Sequence, residues 1–195
     1  VTVAGTGDGG ETLEQAARGL AGTSDPVSGV TDRGRPRWRA FLGLAAAIGV
    51  TDQLTKAWLV NRLAPGESMD VLGDTVRLVH GQNSGALFGL FRDQALLFGV
   101  ASLAVIALIV AYHARSARST YVSITLGLLL GGAIGNLIDR FRLGHVVDFI
   151  DVGIGDVRFY TFNVADSAVS TAILLLIVAA LVPALTGGRS GDPDA

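Results

Sequence analysis

TYVSITLGLLLGGAIGNLIDR, residues 120–140, holds both the fold and the chemistry of this chain. From Thr120 to Leu137 it is apolar and glycine-rich, close to the roughly 20 residues that a helix needs to cross about 30 Å of hydrocarbon. Asn136, Asp139 and Arg140 then follow at i, i+3 and i+4, which places them on one helical face. Taken alone, Asp139 and Arg140 mark the exit of the helix from the membrane. A carboxylate at the edge of a span is nonetheless expensive unless it is paired or has a task.

Three more segments could span a bilayer: about 40–60, 94–112 and 165–185. Helices are the natural solution because they satisfy their own backbone polar groups in lipid. Half of the 195 residues are hydrophobic and the mean hydropathy is +0.50. The expected fold class is therefore an all-α membrane protein with four transmembrane helices and one compact domain. The expected division is a disordered tail over 1–32, rich in Gly, Thr, Ser and Asp, a four-helix domain over 33–188, and a cytoplasmic tail over 189–195. No apolar run follows a basic start within the first 30 residues, which argues against a secretory signal. The net charge of −2 is uninformative, and no basic cluster interleaved with aromatics points to nucleic acid. The absence of cysteine rules out a disulfide, a thiol nucleophile and a Cys-ligated metal.

Basic residues orient the spans. Arg33, Arg35, Arg37 and Arg39 crowd the entry to the first, His113, Arg115 and Arg118 lie between the second and third, and Arg189 follows the fourth. The positive-inside rule makes that side cytoplasmic, with both termini inside and segments 61–93 and 138–164 outside. Met69 to Leu78 alternates loosely, as a strand or hairpin does, and Val157 to Phe162 is also strand-like. A small extracytoplasmic β-sheet or hairpin region at the outer membrane surface is expected.

The outer ends of the spans carry further polar residues. In FNVADS (162–167), Asn163 suits an N-cap and puts Asp166 at N3. Capping accounts for Asn163 but only partly for a second acid. In VVDFID (146–151), Asp148 is flanked by Val146, Val147, Phe149 and Ile150, an environment that withdraws it from water. Asp151, followed by Gly153, Gly155 and Asp156, is expected to be solvated. Asp52 and Lys56 form an i, i+4 pair in TDQLTK, where mutual neutralisation is the plain reading and support of a nearby site the alternative. In QNSGALFG (82–89), Asn83 offers an amide and Gly85 a tight turn. Gly131, Gly132 and Gly135 allow close helix packing or leave room for another helix. Two carboxylates brought to one place are a standard means of general acid/base work on water.

In order, TDQLTK, NSGALFG, GGAIGNLIDR, VVDFI and FNVADS resemble the motif set of lipoprotein signal peptidase, or signal peptidase II, over about residues 40–185. The resemblance implies an aspartic endopeptidase of the bacterial inner membrane that removes the signal peptide from diacylglyceryl-modified prolipoproteins. It implies Asp148 and Asp166 as the catalytic pair. Asn83, Gly85, Asn136, Asp139, Arg140 and Asn163 would support that pair or the substrate, and Asp52 and Lys56 would be structural. No metal or other cofactor is expected; the partners would be lipid-modified prolipoproteins and membrane lipid, and the expected state is a monomer. Three other classes compete. An ion or proton transporter could use paired acids, but these acids cluster at one face instead of forming a path across the bilayer. A metal-dependent hydrolase could use Asp139, Asp148, Asp151 and Asp166 as oxygen ligands, yet no His-rich motif accompanies them and His80 and His145 stand apart. A non-enzymatic scaffold gives no reason for the polar residues to converge.

Overall fold

The computed structural model describes residues 1–2, 37–84, 95–116 and 119–186. Among the described residues, the secondary structure lies in the compact unit Gly34–Ala195. Its elements run α1 (Trp38–Val60), β1 (Ser68–Leu72), β2 (Val76–Asn83), α2 (Ala95–Ser116), α3 (Thr120–Leu143), β3 (Val146–Ile154), β4 (Val157–Arg158), α4 (Val164–Leu181) and a 3₁₀ turn, Pro183–Thr186.

Among the described residues, three helices, α2, α3 and α4, are long and apolar enough to cross a membrane. The second half of α1 carries Thr51, Asp52, Gln53, Thr55 and Lys56, and it is not among those three. α3 is the central helix, packing against α1, α4 and α2. Phe41 and Ala45 of α1, Ile109 of α2, and Leu126 and Leu130 of α3 form one core cluster. Small residues make the close approach possible. A Cβ on Gly131 would sit 2.8 Å from the carbonyl oxygen of Ala45 in α1, and one on Gly132 would sit 2.5 Å from that of Ala165 in α4. The glycines of α3 thus serve helix packing on two sides. Van der Waals attraction at short range holds the helices together there, because lipid offers no hydrophobic drive.

The four strands form an antiparallel sheet in the order β1–β2–β3–β4. The expected hairpin is β1–β2, turning at Gly73, whose φ of 49° suits glycine. A second cluster, Leu59 of α1 with Val147 and Phe149 of β3, seats the sheet on the end of α1.

VVDFIDVGI, to which no element is assigned from the sequence, is a full strand, β3, whose nearly unbroken apolar start hides its two-residue period. Three expectations need correction. The strand-like Val157–Phe162 contributes only the two residues of β4 and a bridge from Phe162 to Ile150. α3 does not end near Leu137 but runs to Leu143, where Gly144 closes it in the left-handed region at φ 74°; Asp139 and Arg140 are therefore inside the helix. α4 stops at Leu181, short of Leu185, because Pro183 cannot continue it.

Gly132→Ala is expected to lower the melting temperature in detergent, at a cost of about 1–3 kcal/mol from overpacking. Gly43→Ala, where a Cβ meets nothing within 4 Å, serves as the control. Equal melting of the two variants would contradict the packing account.

Candidate active site

The polar residues meet where the ends of α1, α3 and α4 adjoin β3. Asp52, Lys56, Asp139 and Asp148 are each at most 4% exposed, so every charge must have partners. Lys56 Nζ lies 2.7 Å from Asp52 Oδ2 and 2.8 Å from Asp139 Oδ2, and donates to Asn136 Oδ1 at 3.2 Å. Its three protons thus have three acceptors. Gln53, overlooked in the sequence, donates to Asp139 Oδ1 at 2.9 Å and to the carbonyl of Gly135 at 3.2 Å. A glutamine beside an acid within an apolar helix was the available signal.

Each carboxylate beside Lys56 also holds a backbone. Asp52 Oδ1 accepts from the N–H of Ala165 at 2.9 Å, and Asp139 Oδ2 accepts from the N–H of Val147 at 3.1 Å. These are the residues just before Asp166 and Asp148.

Asp166 starts α4 in a capping box. Its N–H donates to Asn163 Oδ1 at 2.9 Å, and its Oδ2 accepts from the N–H of Asn163 at 3.2 Å. Asn136 Nδ2 donates to Asp166 Oδ1 at 2.7 Å. Asp148 accepts from Asn163 Nδ2 at 2.7 Å and from Asn83 Nδ2 at 3.0 Å. Asn163 Nδ2 also approaches Asn136 Oδ1 at 3.2 Å and the carbonyl of Val147 at 3.3 Å. The two asparagines therefore link the two acids: Asp148 to Asn163, Asn163 to Asn136, Asn136 to Asp166.

Strand register brings Asn83 in. Gly81 pairs with Asp148 across β2–β3, and a Cβ there would lie 2.8 Å from the carbonyl oxygen of Asp148. Asn83, two residues on, falls on the same face. Gly81 was missed in the sequence because its need for space arises from a strand far away in the chain. Gly85 lies outside the described residues. Arg140 donates to the carbonyl of Asn136 at 3.3 Å, sits over the Phe98 ring at 5.5 Å, and feels the charges of Asp166, Asp148 and Asp139.

Burial, followed by the nearby charge of Asp166, raises the pKa of Asp148 to about 6, although Asn83, Asn163 and Lys56 pull the other way. Asp151 behaves differently. It is buried, not solvated as expected, and takes Arg77 at 2.9 Å and Arg158 at 3.0 Å. Burial opposes its ionisation, but Arg158 and Arg77 outweigh burial and hold its pKa below the ordinary carboxylate value. It ties β2, β3 and β4 together and takes no part in the cluster around Asp148. Among the described residues, no group of three or more His, Cys, Asp or Glu is arranged to hold a metal ion. Two of the acids considered as metal ligands, Asp139 and Asp151, are already in ion pairs.

A raised carboxylate pKa means that the folded state binds the proton more tightly than the unfolded state does. The associated stability is complete below about pH 4 and is lost as pH climbs to about 6. Asp148→Asn, free of this loss, should be more stable than the parent at pH 7.5 by about 1–2 kcal/mol. The gap should close towards pH 4.5 in thermal melts. A gap independent of pH would contradict the raised pKa.

The family model described as "Signal peptidase (SPase) II" matches residues 44–182. A protein named "Lipoprotein signal peptidase" from Syntrophomonas wolfei is 39% identical over 145 residues, covering 74% of this chain and 92% of its own length. One of the same name from Caulobacter vibrioides is 42% identical over 154 residues, covering 74% and 87%. A bacterial membrane enzyme solved by the in meso method at 2.3 Å resolution superposes with a TM-score of 0.72 at 27% identity, covering 82% of this chain and 97% of the other.

Proposed function

The chain belongs to the signal peptidase II family, and we propose that it is a membrane aspartic endopeptidase cleaving the signal peptide from diacylglyceryl-modified prolipoproteins. Asp148 and Asp166 are the proposed catalytic pair. The observation that carries this reading is the asparagine bridge: two acids, on β3 and α4, joined through Asn163 and Asn136.

In the proposed mechanism the two acids share one proton, because two nearby carboxylates do not both ionise cheaply. Asp148, withdrawn from water and with its pKa near 6, holds it. Asp166, at the N-terminus of α4 where the helix dipole favours an anion, takes a proton from water. The water oxygen attacks the scissile carbonyl carbon while Asp148 donates its proton to the carbonyl oxygen. The tetrahedral intermediate then collapses: the proton gathered by Asp166 passes to the leaving amine as the C–N bond breaks, and Asp148 takes a hydroxyl proton back as the C=O bond of the new carboxyl group forms, which restores the starting pair. Asn136 and Asn163 aim the carboxylates, and Asn83 holds the second oxygen of Asp148. Arg140, Asp139 and Gly85 belong to the surrounding support or substrate contacts.

The chain is a multi-pass membrane protein. We place α1 as a fourth span, both termini in the cytoplasm and the acids facing outward, with the four-helix domain over 33–188 between tails at 1–32 and 189–195. A lipidated cysteine keeps its acyl chains in the outer leaflet, so a site at that depth meets the scissile bond without extracting the lipid. The substrate is a lipid-modified prolipoprotein, and the working unit a monomer. Neither transport nor metal-dependent hydrolysis is favoured, since Lys56, Arg77 and Arg158 already neutralise acids that those readings need.

Purified protein is expected to cut a diacylglyceryl-modified prolipoprotein, to leave the unlipidated form intact and to be indifferent to chelator. Asp148→Asn and Asp166→Asn should each abolish cleavage while leaving membrane insertion unchanged. Substantial activity in either variant would remove that residue from the pair.

A further inference from the structure

We infer that Lys56 is a positioning residue that fixes both the placement of Asp148 and Asp166 and the amide orientation of Asn136 between them. The inference rests on the two-acid reading above and concerns a side chain that is buried, with its ammonium held by Asp52, Asp139 and Asn136.

Two carboxylates flank Lys56, and each also holds a backbone N–H beside one of the two acids. Asp52 holds the N–H of Ala165, immediately before Asp166; Asp139 holds the N–H of Val147, immediately before Asp148. Lys56 bridges those carboxylates at 2.7 and 2.8 Å. One ammonium therefore clamps the start of α4 to β3, and the clamp acts on the backbone beside each acid. Without the cation, Asp52 and Asp139 would be two like charges facing each other in a buried place.

Lys56 also acts on the side-chain amide of Asn136. Asn136 Oδ1 accepts from Lys56 Nζ and from Asn163 Nδ2, each at 3.2 Å. Turning the amide round would set its NH₂ against these two donors and its oxygen against the Asp166 carboxylate. Lys56 thus selects the orientation in which Asn136 Nδ2 donates to Asp166.

A positional role is separable from a structural one by pH. Among the described residues, Lys56 of α1, Arg140 of α3 and Asp166 of α4 act electrostatically on Asp148, and Asp52 and Asp139 flank Lys56; Asn83 of β2 is neutral. The charge of Lys56 favours the anion of Asp148. Removing it makes Asp148 hold its proton more tightly, which moves the active window to higher pH.

The test measures kcat, KM and the pH–activity profile of full-length Lys56→Met in detergent with a lipidated prolipoprotein. The expected result is a fall of about ten- to a hundredfold in kcat, a KM within about twofold, and a profile displaced to higher pH. An unchanged kcat, or a reduced one with an unmoved profile, overturns the inference. If Lys56→Met does not fold, two charge-balanced doubles decide: Lys56→Gln/Asp139→Asn keeps a donor towards Asn136, and Lys56→Met/Asp139→Asn does not. At least tenfold higher kcat in the first supports the role; equal kcat, or failure of both to fold, overturns it. Asp148→Asn and Asp166→Asn run alongside. If either is active the two-acid reading itself fails, whereas two dead aspartate variants with an indifferent Lys56 sink only the present inference.

Discussion

A lysine buried between two buried aspartates, with an asparagine carbonyl as its third acceptor, is the interaction on which the rest of this structure depends. Desolvating an ammonium costs several kcal/mol, and the ion pairs that offset this cost seldom leave a large net gain in stability. The arrangement is better understood by what it joins. α1 supplies Asp52 and Lys56 one turn apart, α3 supplies Asp139 and Asn136, and the oxygens of the aspartates reach across to the backbones of α4 and β3. Loss of the cation would leave two unpaired anions, so the four elements are held by one charge balance.

Two kinds of element bring the two acids together, and each contributes what its geometry allows. A helix N-terminus gives Asp166 a capping box and a favourable dipole. A strand gives Asp148 a dry setting between Val147 and Phe149, with Gly81 opposite to leave room and Asn83 alongside to donate. Asn163 belongs to both arrangements, since it caps α4 through its oxygen and meets Asp148 through its nitrogen. Close packing by Gly131 and Gly132 sets the distances between helices within which these short side chains can meet.

What the sequence made legible was mostly local. Long apolar runs marked the helices, the i, i+3 spacing of Asn163 and Asp166 marked the cap, and loose alternation marked the first hairpin. What it concealed depends on partners distant in the chain. Asp151 looked solvated because glycines follow it, but Arg77 comes from another strand. Asp139 and Arg140 looked like a helix exit because the groups that accommodate Asp139, the Lys56 ammonium and the Gln53 amide, belong to α1. VVDFIDVGI does not alternate cleanly, since a strand that is buried at its start on both faces loses the polar half of its period. Gly81 carries no local mark at all, and its role exists only in the register with Asp148.

The most direct measurement is a high-resolution structure of the protein with a lipopeptide whose scissile amide is replaced by a hydroxyl-bearing isostere. The account predicts that the hydroxyl oxygen lies within about 3 Å of a carboxylate oxygen of both Asp148 and Asp166, with Asn136 and Asn163 still donating to them. A hydroxyl contacted by one acid alone, or by neither, would contradict it.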